Sequence, residues 1–409
     1  VPGARWLPIA DPPRYGAAAA PFPGGCLLPE WLRPLAARLG VTRLADVTGL
    51  DRVGIPVVMA IRPASRMLVV SQGKGLTVVQ AATSAVMEAC ESWCAERPGV
   101  PLLHGREAEV ARLERIVETG RLPVRRAGRY RPDRPMLWAR GVDLLAGGEP
   151  KLVPWPLVHT DYVVDPPPPG AGCFCASSNG LGAGPDRDSA IVQALFEVIE
   201  RDASTLFELR PPAAREALRI APSSVDDPDC TMILGRLTAA GLRVGIWNTT
   251  ADTGLPSFHV ELAESRAGSA AAHPITAAGA GCAAARGEAL RRAILEAVQS
   301  RLTVISGSRD DMLEPDYLPA EPWWADDRRG IPFAAVPDHD ASTPAHTIRL
   351  ALERLARIRV DEVVVVDLSS VHALGIDVVR VVVPGLETML DHPHYEAGPR
   401  ARAVLAGRA

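Results

Sequence analysis

Lysine is almost missing from this chain. Of 44 basic residues only two are lysines, Lys74 and Lys151, and all the others are arginines. Asparagine is as scarce, at Asn179 and Asn248, and glutamine occurs only at Gln72, Gln80, Gln193 and Gln299. No apolar run reaches the about 18 residues of a membrane span, and the first residues carry neither the basic nor the hydrophobic stretch of a secretory signal. Neither charge sign dominates. The net charge of −4 argues against nucleic acid or an anionic membrane as the partner. Seven cysteines, an odd number, fit a reducing compartment better than a disulfide scaffold. Those absences leave a cytoplasmic globular protein. Its 409 residues, 47% of them hydrophobic, can bury a large core in one big domain or two ordinary ones.

What is abundant is alanine, arginine, proline and glycine, the signature of a GC-rich bacterial genome that drifts to arginine wherever any cation serves. A surviving lysine then marks a place that needs a compact point charge. Lys74 stands between two glycines in "SQGKG". A Walker A loop would need glycine five positions before Gly73 and a hydroxyl residue after Lys74. The chain has Leu68 and Gly75 there, so the phosphate-loop motif is excluded.

Residues 1–40 read as a Pro/Ala-rich arm followed by a short helix in "PEWLRPLAARLG", ended by Gly40; residues 41–390 form the main domain; residues 391–409 read as a tail. Three long helices are predicted: "LTVVQAATSAVMEACESWCAE", "DRDSAIVQALFEVIERDASTLFEL" and "GEALRRAILEAVQSRLTVIS". Strands are predicted in "VTRLADVTGLDRVGIPVVMAIRP", "LRVGIWNTT", "LPSFHVELA", "DEVVVVDLS" and "DVVRVVVPG", with short strands and Pro-rich loops over 101–176. Strands clustered between single helices favour an α+β layered fold over a doubly wound parallel sheet.

The three helices share a phrase, "SAVMEACES", "QALFEVIER" and "RAILEAVQS". Each carries Glu and then Glu or Gln three positions on: Glu88 and Glu91, Glu197 and Glu200, Glu296 and Gln299. Residues three apart lie on one helix face, and here that face is otherwise apolar. Buried like charges cost several kcal/mol unless something cationic pairs them. One such pair is ordinary surface charge; three in the same phrase point to a hard divalent ion. Oxygen donors without histidine suit Mg2+, whose shell is usually completed by water and phosphate. A Gly-flanked Lys74 on the turn before the first helix could then face those phosphates, and "SSNGLGAG" places Asn179 at the matching entrance of the second.

At these residues the chain resembles the YcaO superfamily of ATP-dependent enzymes that modify peptide backbones. The motifs "SQGKGLTVVQAATSAVMEACE", "SSNGLGAG" with "ALFEVIERD", and "ILEAVQSR" carry the resemblance over roughly residues 40–390. It implies an α+β fold of mixed sheets and ATP held through Mg2+ by carboxylates on such helices. Residue by residue, it implies a metal set of Glu88, Glu91, Glu197, Glu200 and Glu296. The implied ATP and phosphate contacts are Lys74, Ser84, Asn179, Arg201, Gln299 and Arg301. Ser84 also reads as a small helix-packing residue, and Ser92 stands where many relatives have arginine. No catalytic acid or base is assigned.

More narrowly, "VTRLADVTGLDRVGIPVVMAIRP", "SRDDMLEPDY" and "VVRVVVPGLE" resemble the branch that works with TfuA-type partners. That branch implies thioamidation of a ribosomally made precursor peptide, assisted by a TfuA-like protein, with a homodimer left open. The azoline-forming branch commonly ends in Pro-x-Pro-x-Pro, whereas this chain ends "GPRARAVLAGRA", which turns the expectation toward the thioamide. Azoline or amidine formation, or a non-catalytic ATP-binding partner subunit, are the alternatives. Cys90 with Cys94 and Cys173 with Cys175 invite a zinc site, but neither spacing is C-x2-C, so buried thiols are expected. "DHPHY" near the end reads as a solvated tail, and "RLPVRRAGRYRPDR" as a solvated loop or a grip for an acidic peptide.

Overall fold

Three times along the chain a glycine-bearing strand runs straight into a long helix. The computed structural model describes residues 3–7, 28–126, 128, 130–163, 165–264, 276–309, 311–312, 322–324, 329–369 and 374–407. The arm sequence "YGAAAAPFP" and most of "SRDDMLEPDY" lie outside them. An edge strand β1 (Arg5–Leu7) comes first, then helix α1 (Arg33–Arg38), closed by Gly40 at φ +75° as expected. Strands β2 (Arg43–Asp46), β3 (Val57–Ile61) and β4 (Val70–Lys74) form a meander that leads into α2 (Val78–Glu96). Next come β5 (Leu102–Gly105), the single-turn α3 (Glu107–Val110), β6 (Met136–Asp143) and β7 (Glu149–Pro154). Strand β8 (Leu181–Gly184) leads into α4 (Arg187–Glu208). After α5 (Pro212–Glu216) and α6 (Pro228–Ala239), a second meander of β9 (Leu242–Asn248), β10 (Ser257–Glu264) and β11 (Ala277–Cys282) leads into α7 (Arg286–Ser306). Helix α8 (Pro344–Arg357), strands β12 (Val364–Asp367) and β13 (Asp377–Val382) and helix α9 (Pro399–Leu405) complete the chain.

The predicted α+β class holds. A seven-stranded sheet runs β1-β5-β6-β12-β13-β8 with β7 on β6, and the meanders β2-β3-β4 and β9-β10-β11 form two smaller sheets. Every ladder between these strands is antiparallel, whereas the resemblance implied mixed sheets. Helix α2 buries Ala82, Val86, Ala89 and Trp93 in the core it shares with Trp138, Leu152 and Val364 of the large sheet. Helices α4 and α7 each organise a further core.

The three strand-to-helix units repeat in detail. A Cβ on Gly73 would overlap Ala81 O and Ala85 N; on Gly182 it would meet Ala190 O and Ala194 N; on Gly281, Ala289 O and Ala293 N. In each unit the alanines follow the glycine by the same two intervals. The strand thus lies directly on the helix backbone, closer than any side chain permits. Thr77 opens α2 with a capping box to Gln80, and the Asp186 carboxylate caps α4 at Ser189 N, each worth about 1 kcal/mol. Ala285 cannot cap α7, and Asp338 Oδ1 accepts from Arg286 N at 2.9 Å instead. Gly182→Ala is therefore expected to lower stability by about 1–3 kcal/mol or more. The check is urea denaturation, in which an unchanged midpoint would contradict the close approach.

The C-terminal stretch differs from expectation. Tyr395 is buried with its hydroxyl on Glu387 Oε2 at 2.8 Å, and the same carboxylate side chain accepts from Gly398 N and Ala401 N. Arg400 forks onto Asp202 at 2.9 Å through both Nε and Nη2. Tyr395 of "DHPHY" is thus packed, while Asp391 and Pro393 stay exposed, because the buried acids Asp202 and Glu387 draw partners from the C-terminal segment.

Candidate functional site

The repeat geometry delivers the E-x-x-E pairs. In each unit Glu88, Glu197 and Glu296 follow the close-packed glycine at the same interval, one turn beyond its second alanine. Strand amides then orient the carboxylates. Glu88 Oε2 accepts from Gln72 N at 3.1 Å, and Glu91 Oε1 reaches across to Ala183 N of the second unit at 2.8 Å. Backbone amides of Gly180 and Ala280 likewise donate to Glu197 and Glu296.

All five glutamates open onto one cavity of about 940 Å³ enclosed by α2, α4, α7 and their strands. Lys74 also lies on its wall, with Nζ 2.8 Å from Glu296 Oε2. It is the last residue of β4 rather than part of a turn, so its backbone is held by the β3 ladder. Ser84, Arg201 and Gln299 line the same space. Two sequence-predicted contacts are not on its wall. Arg301 is buried between Asp51 (2.8 Å) and Glu264 (2.6 Å), tying α7 to the loop before β3 and to β10. Asn179 offers its carbonyl to Arg380 Nη1 at 2.8 Å, and its buried Oδ1 has no hydrogen-bond partner. Arg380, buried against three backbone carbonyls at Leu157, Ser177 and Asn179, holds the entrance to β8.

The electrostatics show a site short of positive charge. Burial pushes Glu88 up to about 7 against the pull of Arg309 and Lys74, and Glu197 to about 7 against Arg201 and Arg380. Burial and Glu296 together raise Glu200 to about 7. Glu91 is driven well above the usual range by burial, then by Glu197 and Glu88. Burial also pulls Glu296 upward, but Lys74 and Arg201 outweigh it and hold that carboxyl below the usual range. Arg201 is raised, because Glu200, Glu296 and Glu197 overcome its own desolvation, and its Nε is buried without a hydrogen-bond partner. Gln72 Nε2, on the same wall, is likewise unmatched.

The donor set fits Mg2+ bound together with phosphate. All the donors are carboxylate oxygens, the choice of a hard cation, and burial leaves them wanting one. Among the described residues no three acidic, histidine or cysteine side chains close round a single point as a finished metal cage. The two cysteine pairs are elsewhere: Cys90, Cys94 and Cys175 are buried and Cys173 half-buried, and all are free thiols, as are Cys230 and Cys282.

Residues 72–387 match a family described as "YcaO cyclodehydratase, ATP-ad Mg2+-binding". The chain belongs to the YcaO family. Its activity class is therefore the ATP-dependent backbone modification of YcaO proteins, with ATP and Mg2+ as cofactors. A relative described as an uncharacterized protein in the tfuA 3′ region of Rhizobium leguminosarum bv. trifolii is 35% identical over 393 residues, 92% of this chain and 90% of that one. The structure of YcaO from Methanopyrus kandleri bound with AMPPCP and Mg2+ superposes with a TM-score of 0.65 at 24% identity, covering 90% of this chain and 93% of that one. A heterocyclase solved in complex with substrate and cofactor gives a TM-score of 0.73 at 19% identity. This chain spans about half of it: the match covers 90% of this chain and 52% of the heterocyclase. Both structures share the YcaO fold.

Cavity residues that sequence reasoning passed over are arginines and a carboxylate in unmotivated contexts. Arg292, one turn before Glu296, bonds Glu288 at 2.8 Å and Gln193 at 3.2 Å, bridging α7 to α4 across the YcaO cavity. Arg309 faces Glu88 from beyond the end of α7, and Asp391 enters from the C-terminal segment. The interval of four between Arg292 and Glu296 could have flagged the first; nothing local marks the other two. No described helix is long and apolar enough to cross a membrane.

Proposed function

We propose that this YcaO protein converts a backbone amide of a ribosomally made precursor peptide into a thioamide, consuming ATP, with a TfuA-like protein assisting sulfur delivery. The observation that carries the ATP half is the convergence of five carboxylates, Lys74 and Arg201 on one cavity. The tfuA-region relative supports the sulfur half. In this reading Glu88, Glu91, Glu197, Glu200 and Glu296 are the metal set. Lys74, Ser84, Arg201 and Gln299 face the phosphates, joined by Arg292 and Arg309.

An amide carbonyl is a poor electrophile and its oxygen a poor leaving group. Hydrosulfide adds to the carbonyl carbon, and the oxygen, now an alkoxide, takes the γ-phosphoryl group of ATP. The C–O bond then breaks, phosphate leaves with the original amide oxygen, the sulfur loses its proton and C=S forms. Bound Mg2+ would supply charge neutralisation for the transferring phosphoryl group. Arg201 and Lys74, fixed among the glutamates, hold the same phosphates in place, and the strand amides keep the carboxylates from swinging away.

Intact-mass analysis of a precursor peptide co-expressed with this chain and a TfuA-like protein provides the test. A thioamide raises the peptide mass by the difference between sulfur and oxygen, whereas ring formation lowers it by one water. A dehydrated product would replace this reading with azoline formation. An unmodified peptide with no phosphate released would end the catalytic reading.

A further inference from the structure

Four of the seven methionines face the carboxylate cavity: Met67, Met87, Met312 and Met389. They come from four different parts of the chain: the hairpin between β3 and β4, the middle of α2, the stretch after α7 and the segment after β13. Each is half-buried, with part of its side chain open to the cavity. Leu68 lies beside Met67 on the same wall. The cavity therefore combines carboxylates on the three helices with unbranched thioether side chains that can change shape.

Two arguments say what the methionines are for. At about 940 Å³ the cavity lies at the upper end of the roughly 300–1,000 Å³ found for one small ligand, so space remains beside a nucleotide. A reacting amide must also come within bonding distance of the terminal phosphorus, which brings its flanking side chains into the same cavity. Methionine presents a polarizable, conformationally adaptable apolar surface suited to side chains of varied shape.

We propose that Met67, Met87, Met312 and Met389 form the peptide subsite, which receives an apolar side chain flanking the reacting amide. This rests on the amide-activation reading above. An acidic flanking side chain is rejected, since it would be desolvated against apolar thioether surface.

The test is oxidation footprinting of the full chain with dilute hydrogen peroxide, with each methionine followed by peptide mass spectrometry. Met232, 40% exposed on α6, reports general reactivity, and Met59 and Met136, 2% and 3% exposed, report unfolding. The probes are Mg2+–AMPPCP alone, then with a capped pentapeptide carrying central leucine or central aspartate. At about ten times its Kd the leucine peptide is expected to slow oxidation of the four cavity methionines by about tenfold, with Met232 unchanged. The nucleotide alone and the aspartate peptide should not. Equal protection by nucleotide alone would assign the methionines to the nucleotide and overturn the proposal. So would no protection by the leucine peptide at millimolar concentration. The footprint does not need product, so it is read separately from failure of the thioamide chemistry.

Discussion

The ligand-free protein is expected to lose stability as pH rises from about 5 to 8, and Mg2+ with nucleotide to reverse the trend. Glu88, Glu197 and Glu200 each sit at about 7 in the folded state against an ordinary value of 4.5. Their folded-state values are raised, so their contribution is fully present below 4.5, where both states are protonated. It is lost as pH rises toward 7, because the unfolded chain ionises first. The shift from 4.5 to about 7 caps the loss at roughly 3 kcal/mol per group. Mg2+–nucleotide binds the ionised set, so it should stabilise most above pH 7, by about 2.7 kcal/mol at a hundred times its Kd. Glu200→Gln should raise the melting temperature of the ligand-free protein at pH 8 and abolish the nucleotide-dependent increase. Scanning calorimetry between pH 5 and 8 decides it: a flat ligand-free profile would mean that the glutamates are solvated, not buried together.

Replacing Lys74 should have the largest effect on turnover. Its Nζ is 2.8 Å from Glu296 Oε2, and the strand around it is clamped because Gly73 and Gly75 press on α2. Lys74→Ala removes a fixed cation from beside the phosphate position and leaves Glu296 with Arg201 alone among the two cations that offset its burial. Phosphate release with peptide present should fall by about a hundredfold or more. Lys74→Arg keeps the charge but adds a planar fork where the glycines leave no room to shift, and should not restore the rate. Full turnover by Lys74→Arg would show that any cation suffices, and the argument from lysine scarcity would collapse. The other lysine marks the limit of that argument. Lys151 bridges Asp143 at 2.7 Å and Glu362 at 2.8 Å, away from the cavity, in a purely structural role.

Much of the fold was legible because its signals are local. The helical period of Ala82, Val86, Ala89 and Trp93 (Val79, in the same period, is exposed in the first turn), the Gly40 stop and the β-branched runs of β12 and β13 each lie within one short window. The glycine–alanine spacing shared by Gly73, Gly182 and Gly281 was also in the sequence and went unread. Its meaning is a backbone contact between strand and helix, which composition does not display. Helices α6 and α8 were missed for another reason. Both lie outside the repeated phrase, although Asp227 and Thr343 cap them visibly.

The sequence alone determined the three helices, the glutamates on their apolar faces, the α+β class and the YcaO family. Each depends on residue type and spacing within a few turns of chain. Only the tertiary structure decided which cations meet which acids. Arg301 and Arg201 are both arginines that follow an E-x-x-[EQ] pair, yet one is spent on Asp51 and Glu264 while the other faces the cavity. The same holds for Glu387 and Asp202 binding the C-terminal segment, and for four methionines from distant parts of the chain lining one cavity. A buried charge takes whichever partner the fold brings within about 3–4 Å, and that proximity is set by the packing of elements far apart in the chain.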